Sequence, residues 1–465
     1  MEPTNIAPRA DRNRTLRRAR ALIRLFGPRS SMFRRRAATV GGAISVGLIA
    51  IAFAAAADRA TGIFNLLVDA WPYAPLVLTP LAFAGIATLT NRYFPAARGS
   101  GIPQVIAARA DPEGALDRLL TPLIVTGKAA LTLASLLVGA STGREGPTVQ
   151  LSAAMMGWWH RLLGVPMRSS MIIAGGAAGV AAAFNTPLAG IAFAIEELAA
   201  AYEQRMALLV MTAILISGAV AEGLAGDYVY FGPIGASMGV GTVLIVAPVA
   251  GVVGGAAGGL FSRLVLAAAA PSWAPLIRAR QRPVAFAAAC GLVVATIGCL
   301  TGLTWGTGYD AARAVITGAH APLWYGIAKF GATLASAVAG LPGGIFSPSL
   351  STGAGVGNVL RWFFPGSPGS AVVLLGMVAY FTGVVRAPLT AVFILTETTA
   401  SRGLLLPMFA SALIANQVSQ WVCREKLYHG LSKAFEKPPP QSAASLSETR
   451  LPPTPPGNRA TPDGA

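Results

Sequence analysis

Apolar stretches recur from residue 38 to about residue 423, separated by short polar clusters. Runs at 38–57, 73–90, 207–225, 240–270, 284–305 and 403–422 each come near the roughly 20 apolar residues that a bilayer-crossing helix needs. Other stretches, between 119 and 200 and between 322 and 398, are interrupted by Gly and Pro. Non-helical backbone is tolerated at membrane depth only where it is buried in protein or lines a cavity, so these breaks are expected inside a helix bundle. The pattern predicts an all-α integral membrane protein with a single membrane domain over 38–432. A basic arm, 1–37, precedes it, and a Pro-, Ser- and Thr-rich segment, 433–465, is expected to be disordered.

The chain also repeats itself. KAALTLASLLVGASTGREGP at 128–147 and KFGATLASAVAGLPGGIFSP at 329–348 share Lys, Thr, Leu, Ala, Ser, Gly and Pro at matching offsets, 201 residues apart. The register carries on, since PLAGIAFAIE at 187–196 falls on PLTAVFILTE at 388–397. Repeat halves of about 38–225 and 240–430 follow. Internal symmetry in a long apolar chain marks transporter folds, whose substrate sites form from broken helices where the halves meet.

Composition agrees with a membrane location: 54% of the residues are apolar, 12% are charged and the mean hydropathy is +0.59. The net charge of +17 is uneven, with eleven Arg against Glu2 and Asp11 in residues 1–37. Directly before a first span, such an arm reads as cytoplasmic retention and attraction to anionic lipid rather than as nucleic-acid binding. Cys290, Cys299 and Cys423, and His160, His320 and His429, show no spacing that suggests a disulfide or a zinc site. No G-x-x-x-x-G-K-[ST] loop, H-E-x-x-H or G-x-S-x-G motif is present, so neither an ATP-driven pump nor an enzyme gains support.

Three Gly-framed segments remain: GSGIP at 99–103, GREGP at 143–147 and GGIFSP at 343–348, the last occupying the repeat position of the second. Ser100 offers a hydroxyl donor, while Arg144 and Glu145 close a long apolar stretch, where a charge is costly unless paired or wetted. If these segments open helices, their free N–H groups and positive dipole ends converge on an anion, which suits chloride. Each also has a plain packing reading: Glu145 pairing with Arg144, Ser100 bonding its own helix backbone, and the glycines serving helix contact.

In this order, GSGIP, GREGP and GGIFSP resemble the three anion-site motifs of the CLC chloride channels and chloride/proton antiporters. FNTPLAGIAFAIEE at 184–197 and RAPLTAVFILTE at 386–397 resemble two further signatures, and the resemblance spans about 40–430. It implies a CLC-like fold of two inverted-topology repeats with many tilted, partly broken helices, and a homodimer with one ion pathway per subunit. The resemblance makes Ser100 the central-site serine, with the amides of Ile345 and Phe346 and the phenol of Tyr428 as the other chloride contacts. It makes Glu145 the external gate and Glu197 the internal proton-transfer acid, and leaves Glu196 a structural role. Gly99, Gly101, Pro103, Gly143, Arg144, Gly146, Pro147, Gly344 and Pro348 complete the motifs.

These residue types suggest a mechanism. Ionised Glu145 competes with chloride for the same donors, protonation removes the competitor, and Glu197 supplies the proton by a separate route. The expected function is chloride/proton exchange, with no cofactor and with chloride, protons and lipid as partners. A passive chloride channel of the same fold and an organic-solute transporter are the alternatives. The expected location is the inner (plasma) membrane, multi-pass, with both termini cytoplasmic. Two departures stand out: GGIFSP has Ser347 where related chains often have Ala, and no regulatory soluble domain is expected, hence no control by adenine nucleotides.

Overall fold

The 201-residue register becomes a local two-fold relation in the computed structural model, which describes residues 29–199, 204–226, 229–271 and 274–436. The arm before residue 29 and the tail from 437 lie outside the described residues. The first half contains α1 (Arg29–Ala70), α2 (Pro75–Tyr93), α3 (Ile102–Ala110), α4 (Pro112–Arg118), α5 (Pro122–Leu137), α6 (Glu145–Leu162), α7 (Ser169–Phe184), α8 (Pro187–Phe193) and α9 (Gln204–Ala225). The second half contains α10 (Val240–Ala269), α11 (Ala274–Gln281), α12 (Pro283–Thr301), α13 (Tyr309–Ile316), α14 (Tyr325–Val338), α15 (Phe346–Phe363), α16 (Gly369–Val385), α17 (Pro388–Thr399), α18 (Leu405–Val422) and α19 (Leu427–Ser432). Among the described residues no β-strand forms.

Each predicted span becomes a helix. The first starts earlier than its apolar run, at Arg29, so the end of the basic arm is helical; its 42 residues reach about 60 Å, twice a hydrocarbon core. The outer faces are apolar: Leu300, Leu406 and Ile327 are about four-fifths exposed. Such a surface fits lipid rather than water. The Gly/Pro breaks give unequal pieces, as at the 60° bend between α4 and α5.

Packing follows the repeat. In the first half α1 and α9 lie on α7, and in the second α10 packs against α16 and α18. Glycines set the approach on α10. A Cβ at Gly254, Gly255 or Gly258 would strike the backbone of α16 or α18. Close packing of small residues is what holds helices together where lipid offers no hydrophobic contrast. The two-fold relation is tightest at Gly143 and Gly344, repeat partners that pair antiparallel, each N–H donating to the other's carbonyl at 2.7 Å.

Two further helix ends are exchanged between halves. Glu196 accepts from the N–H groups of Leu389 and Thr390 at the start of α17, at 2.9 and 2.8 Å. Its repeat partner Glu397 accepts from Leu188 and Ala189 at the start of α8, at 3.1 and 2.9 Å. First-turn N–H groups have no intrahelical acceptor, and a carboxylate there also meets the positive end of the helix dipole. Glu196 thus has the structural role expected of it.

Candidate functional site

All three Gly-framed segments end in helix starts that meet near the Gly143–Gly344 bridge. GSGIP turns through Gly99 and Gly101, at φ of 69° and 114°, before α3 begins at Ile102 with Pro103 in its first turn. Gly101 has no room for a side chain either, since a Cβ there would meet the carbonyl of Gly146. GREGP opens α6 and GGIFSP opens α15; Pro147 and Pro348 fall in the first turns, where a missing N–H costs nothing. The Gly343 N–H donates to the Gly99 carbonyl at 3.1 Å, tying the third segment to the first. Buried Lys128 fixes the same loop by donating to the carbonyls of Ala97 and Gly99, at 2.8 and 2.5 Å.

Ser100 does not bond its own helix. Its Oγ is buried and faces the buried phenol oxygen of Tyr428 on α19, and among the described residues neither has any other hydrogen-bond partner. Two buried hydroxyls that face each other and reach nothing else can both turn to donate to a guest between them. Ser100, Ile345 and Tyr428 line a cavity of 160 Å³ that also meets Arg98 and Arg280. The Phe346 ring packs on Phe381 at 5.0 Å, Phe193 at 5.7 Å and Tyr428 at 5.9 Å. These contacts hold the start of α15, whose first-turn N–H groups point beyond the helix.

Glu145 is the first residue of α6 and is 1% exposed. Its Oε1 accepts from the Ser347 hydroxyl at 2.5 Å, and its Oε2 has no partner. Arg144 does not pair with it. The guanidinium turns to α1 instead, donating to Asp58 Oδ1 at 2.5 Å and the Ala54 carbonyl at 2.7 Å. Gly143 leaves room for the Glu145 carboxylate, and Gly146 for Ser100 and Gly344, since a Cβ at either would collide with them. A second cavity, of 530 Å³, reaches Arg144, Asp58, Tyr230 and Tyr309.

Glu197 lies in a π-helical turn, Ala194–Leu198, that continues α8. Such turns recur at functional positions because the extra residue re-aims side chains. Here consecutive acids part company: Glu196 goes to the α17 cap while Glu197 is fully buried, with His429 Nδ1 3.2 Å from Oε1 and Lys426 Nζ 3.7 Å from Oε2. Sequence reasoning missed Asp58, Lys128, Lys426 and the His429 contact. Of these, Lys128 alone carried a signal, its repetition as Lys329. Among the described residues no group of His, Cys, Asp or Glu is placed to hold a metal ion.

Broken helices from two repeats, converging on two facing buried hydroxyls and flanked by buried carboxylates, define an integral membrane protein with a polar centre. The chain belongs to the CLC family: the profile described as voltage gated chloride channel matches residues 81–420. The H(+)/Cl(-) exchange transporter ClcA of Yersinia pseudotuberculosis serotype IB (strain PB1/+) is 31% identical over 433 residues, covering 85% of this chain and 86% of the relative. That of Citrobacter koseri is 29% identical over 431 residues, covering 86% and 88%. Among solved structures, a slow cyanobacterial Cl-/H+ antiporter matches with a TM-score of 0.73 at 21% identity, covering 86% of this chain and 98% of its own. A CLC-type fluoride/proton antiporter matches with a TM-score of 0.69 at 21% identity, covering 83% and 96%. These two show the shared fold.

Proposed function

We propose that the chain exchanges chloride for protons across a membrane, with Ser100, Tyr428 and the amides of Ile345 and Phe346 receiving the anion. The observation that carries the reading is the Ser100–Tyr428 hydroxyl couple, buried, mutually facing and without another hydrogen-bond partner among the described residues. An ionised Glu145 beside helix starts competes with chloride; once protonated it gives way, and its proton travels on. Glu197 is the second proton station, reached through His429, whose side chain is 36% exposed while Glu197 is fully buried. The relatives named as chloride/proton exchangers support the same reading.

The working unit is a homodimer in the inner membrane, multi-pass, with the arm and the tail in the cytoplasm, as the positive-inside effect of the Arg-rich arm favours. Chloride is the substrate, no cofactor takes part, and no enzymatic step is involved. The 160 Å³ cavity then faces the cytoplasm and the 530 Å³ cavity the outside.

Chloride efflux and proton uptake measured together in liposomes test this. Wild-type protein moves both ions, and a chloride gradient drives protons uphill. Glu145→Gln and Glu197→Gln each keep chloride flux and abolish proton movement. Proton pumping preserved in Glu145→Gln removes the gate; chloride flux without protons in the wild type makes the protein a passive channel.

A further inference from the structure

Among the described residues the hydroxyl of Ser347 is the one hydrogen-bond donor to the Glu145 carboxylate, at 2.5 Å, and both residues are at most 5% exposed. Ser347 is the second residue of α15, whose first residue is Phe346, so the hydroxyl rides on the helix that presents the anion-site amides. Its repeat partner is Gly146, which has no side chain. The donor on the gate therefore exists in one half only. From the other direction, the Tyr230 phenol interacts with the same Ser347 hydroxyl. Tyr230 is itself fixed: Tyr309 Oη donates to its carbonyl at 2.6 Å, and its ring meets those of Tyr309 at 4.7 Å and Phe231 at 4.9 Å. Tyr230 also lines the 530 Å³ cavity, so the row Tyr230, Ser347, Glu145 leads from that cavity to the gate.

We infer that Ser347 is a latch on the gating carboxylate: by donating to ionised Glu145 it strengthens that side chain against chloride and so sets how much chloride is needed to displace it. This rests on Glu145 being the gate. An ionised acceptor gains more from a hydroxyl donor than a neutral one does, so the latch acts on the charged, chloride-competing form and releases as the proton arrives. Ser347 is thus a positioning residue: its effect on chloride passes through Glu145.

Chloride titrated calorimetrically into full-length, chloride-free protein in detergent tests the latch. Ser347→Ala is expected to tighten chloride binding about tenfold, the usual consequence of removing one hydrogen bond to a charged competitor. Ser347→Thr, which keeps the hydroxyl, restores affinity to within about twofold of wild type. In a Glu145→Ala background, where no carboxylate remains to be latched, Ser347→Ala changes nothing further. Unaltered affinity in Ser347→Ala, with Glu145→Ala tightening binding as a lost competitor should, overturns the latch and leaves the gate standing. A Ser347→Ala effect that persists in the Glu145→Ala background also overturns it, because Ser347 then acts on the ion or the fold directly. If Glu145→Ala itself leaves chloride binding unchanged, the gate reading fails and the latch with it.

Discussion

Set over one another at 201 residues, the two halves agree in scaffold and differ in chemistry. Lys128 and Lys329 are both fully buried, and each donates to two backbone carbonyls, Ala97 and Gly99 in one half and Thr304 and Gly306 in the other. Glu196 and Glu397 cap each other's opposite helix, and Asn185 and Arg386 close α7 and α16 in the same left-handed conformation. At the positions proposed to handle ions the correspondence stops. Glu145 lies opposite Phe346, Glu197 opposite Thr398, Arg144 opposite Ile345 and Gly146 opposite Ser347. Where α8 passes into a π-helical turn at 194–198, α17 runs on as regular helix to Thr399. Duplication supplies two converging helix starts, whose donors are backbone and indifferent to side chain. Each half is then free to specialise: one carries the acids, and the other supplies amides, an aromatic wall and the Ser347 hydroxyl.

The buried lysines offer the largest test of that division. Lys128→Met and Lys329→Met each remove a donor shared by two backbone carbonyls, at a cost of roughly 2–4 kcal/mol in total. Thermal unfolding of the purified protein should therefore shift down by similar amounts for both. Chloride affinity should fall for Lys128→Met alone, since Lys128 holds the loop of Ser100 while Lys329 holds residues 304–306. Equal loss of chloride binding in both variants would make the lysines part of the anion field rather than of the frame.

The exchanged caps test the division at a smaller scale. Glu196→Ala and Glu397→Ala each remove a charged acceptor from a helix start, worth about 1–2 kcal/mol apiece. Stability should drop comparably. Glu196 also anchors the π-helical turn that aims Glu197, so proton coupling should weaken in Glu196→Ala and persist in Glu397→Ala. Simultaneous chloride and proton flux measurements separate the two variants, and identical coupling in both would show that the turn holds Glu197 without its cap.

These contacts explain what the chain disclosed and what it withheld. Spans and repeat register were legible because both are written in local composition and in matching offsets. The three Gly-framed segments were legible too, since a Gly/Pro break inside an apolar run is conspicuous. Contacts across the fold were not. Whether Arg144 joins Glu145 or Asp58 depends on how α1 lies against α6, and nothing in GREGP specifies that. Glu196 and Glu397 already sat in register within PLAGIAFAIE and PLTAVFILTE, yet their reciprocity emerges only when α8 and α17 face each other. The Ser347 hydroxyl stood out as a departure, but its acceptor lies 202 residues away in the chain.

The smallest expected difference lies at the left-handed helix ends. Asn185 and Arg386 adopt φ of 55° and 60°, a conformation that costs a residue with a Cβ more than it costs glycine. Relief of that strain favours glycine by about 0.5 kcal/mol at either position. Arg386 carries a second duty, because its guanidinium donates to the carbonyls of Cys423 and Arg424 at 3.0 and 2.9 Å, tying the end of α16 to the segment that leads into α19 and Tyr428. Arg386→Gly gains the same backbone relief but loses both of those bonds, about 1–2 kcal/mol together on a half-exposed side chain. Its net effect is therefore destabilising. The melting temperature of Arg386→Gly should therefore fall below that of the wild type. An unchanged or raised melting temperature would mean that the two Arg386 bonds contribute nothing and that this end of α16 is held by its backbone alone.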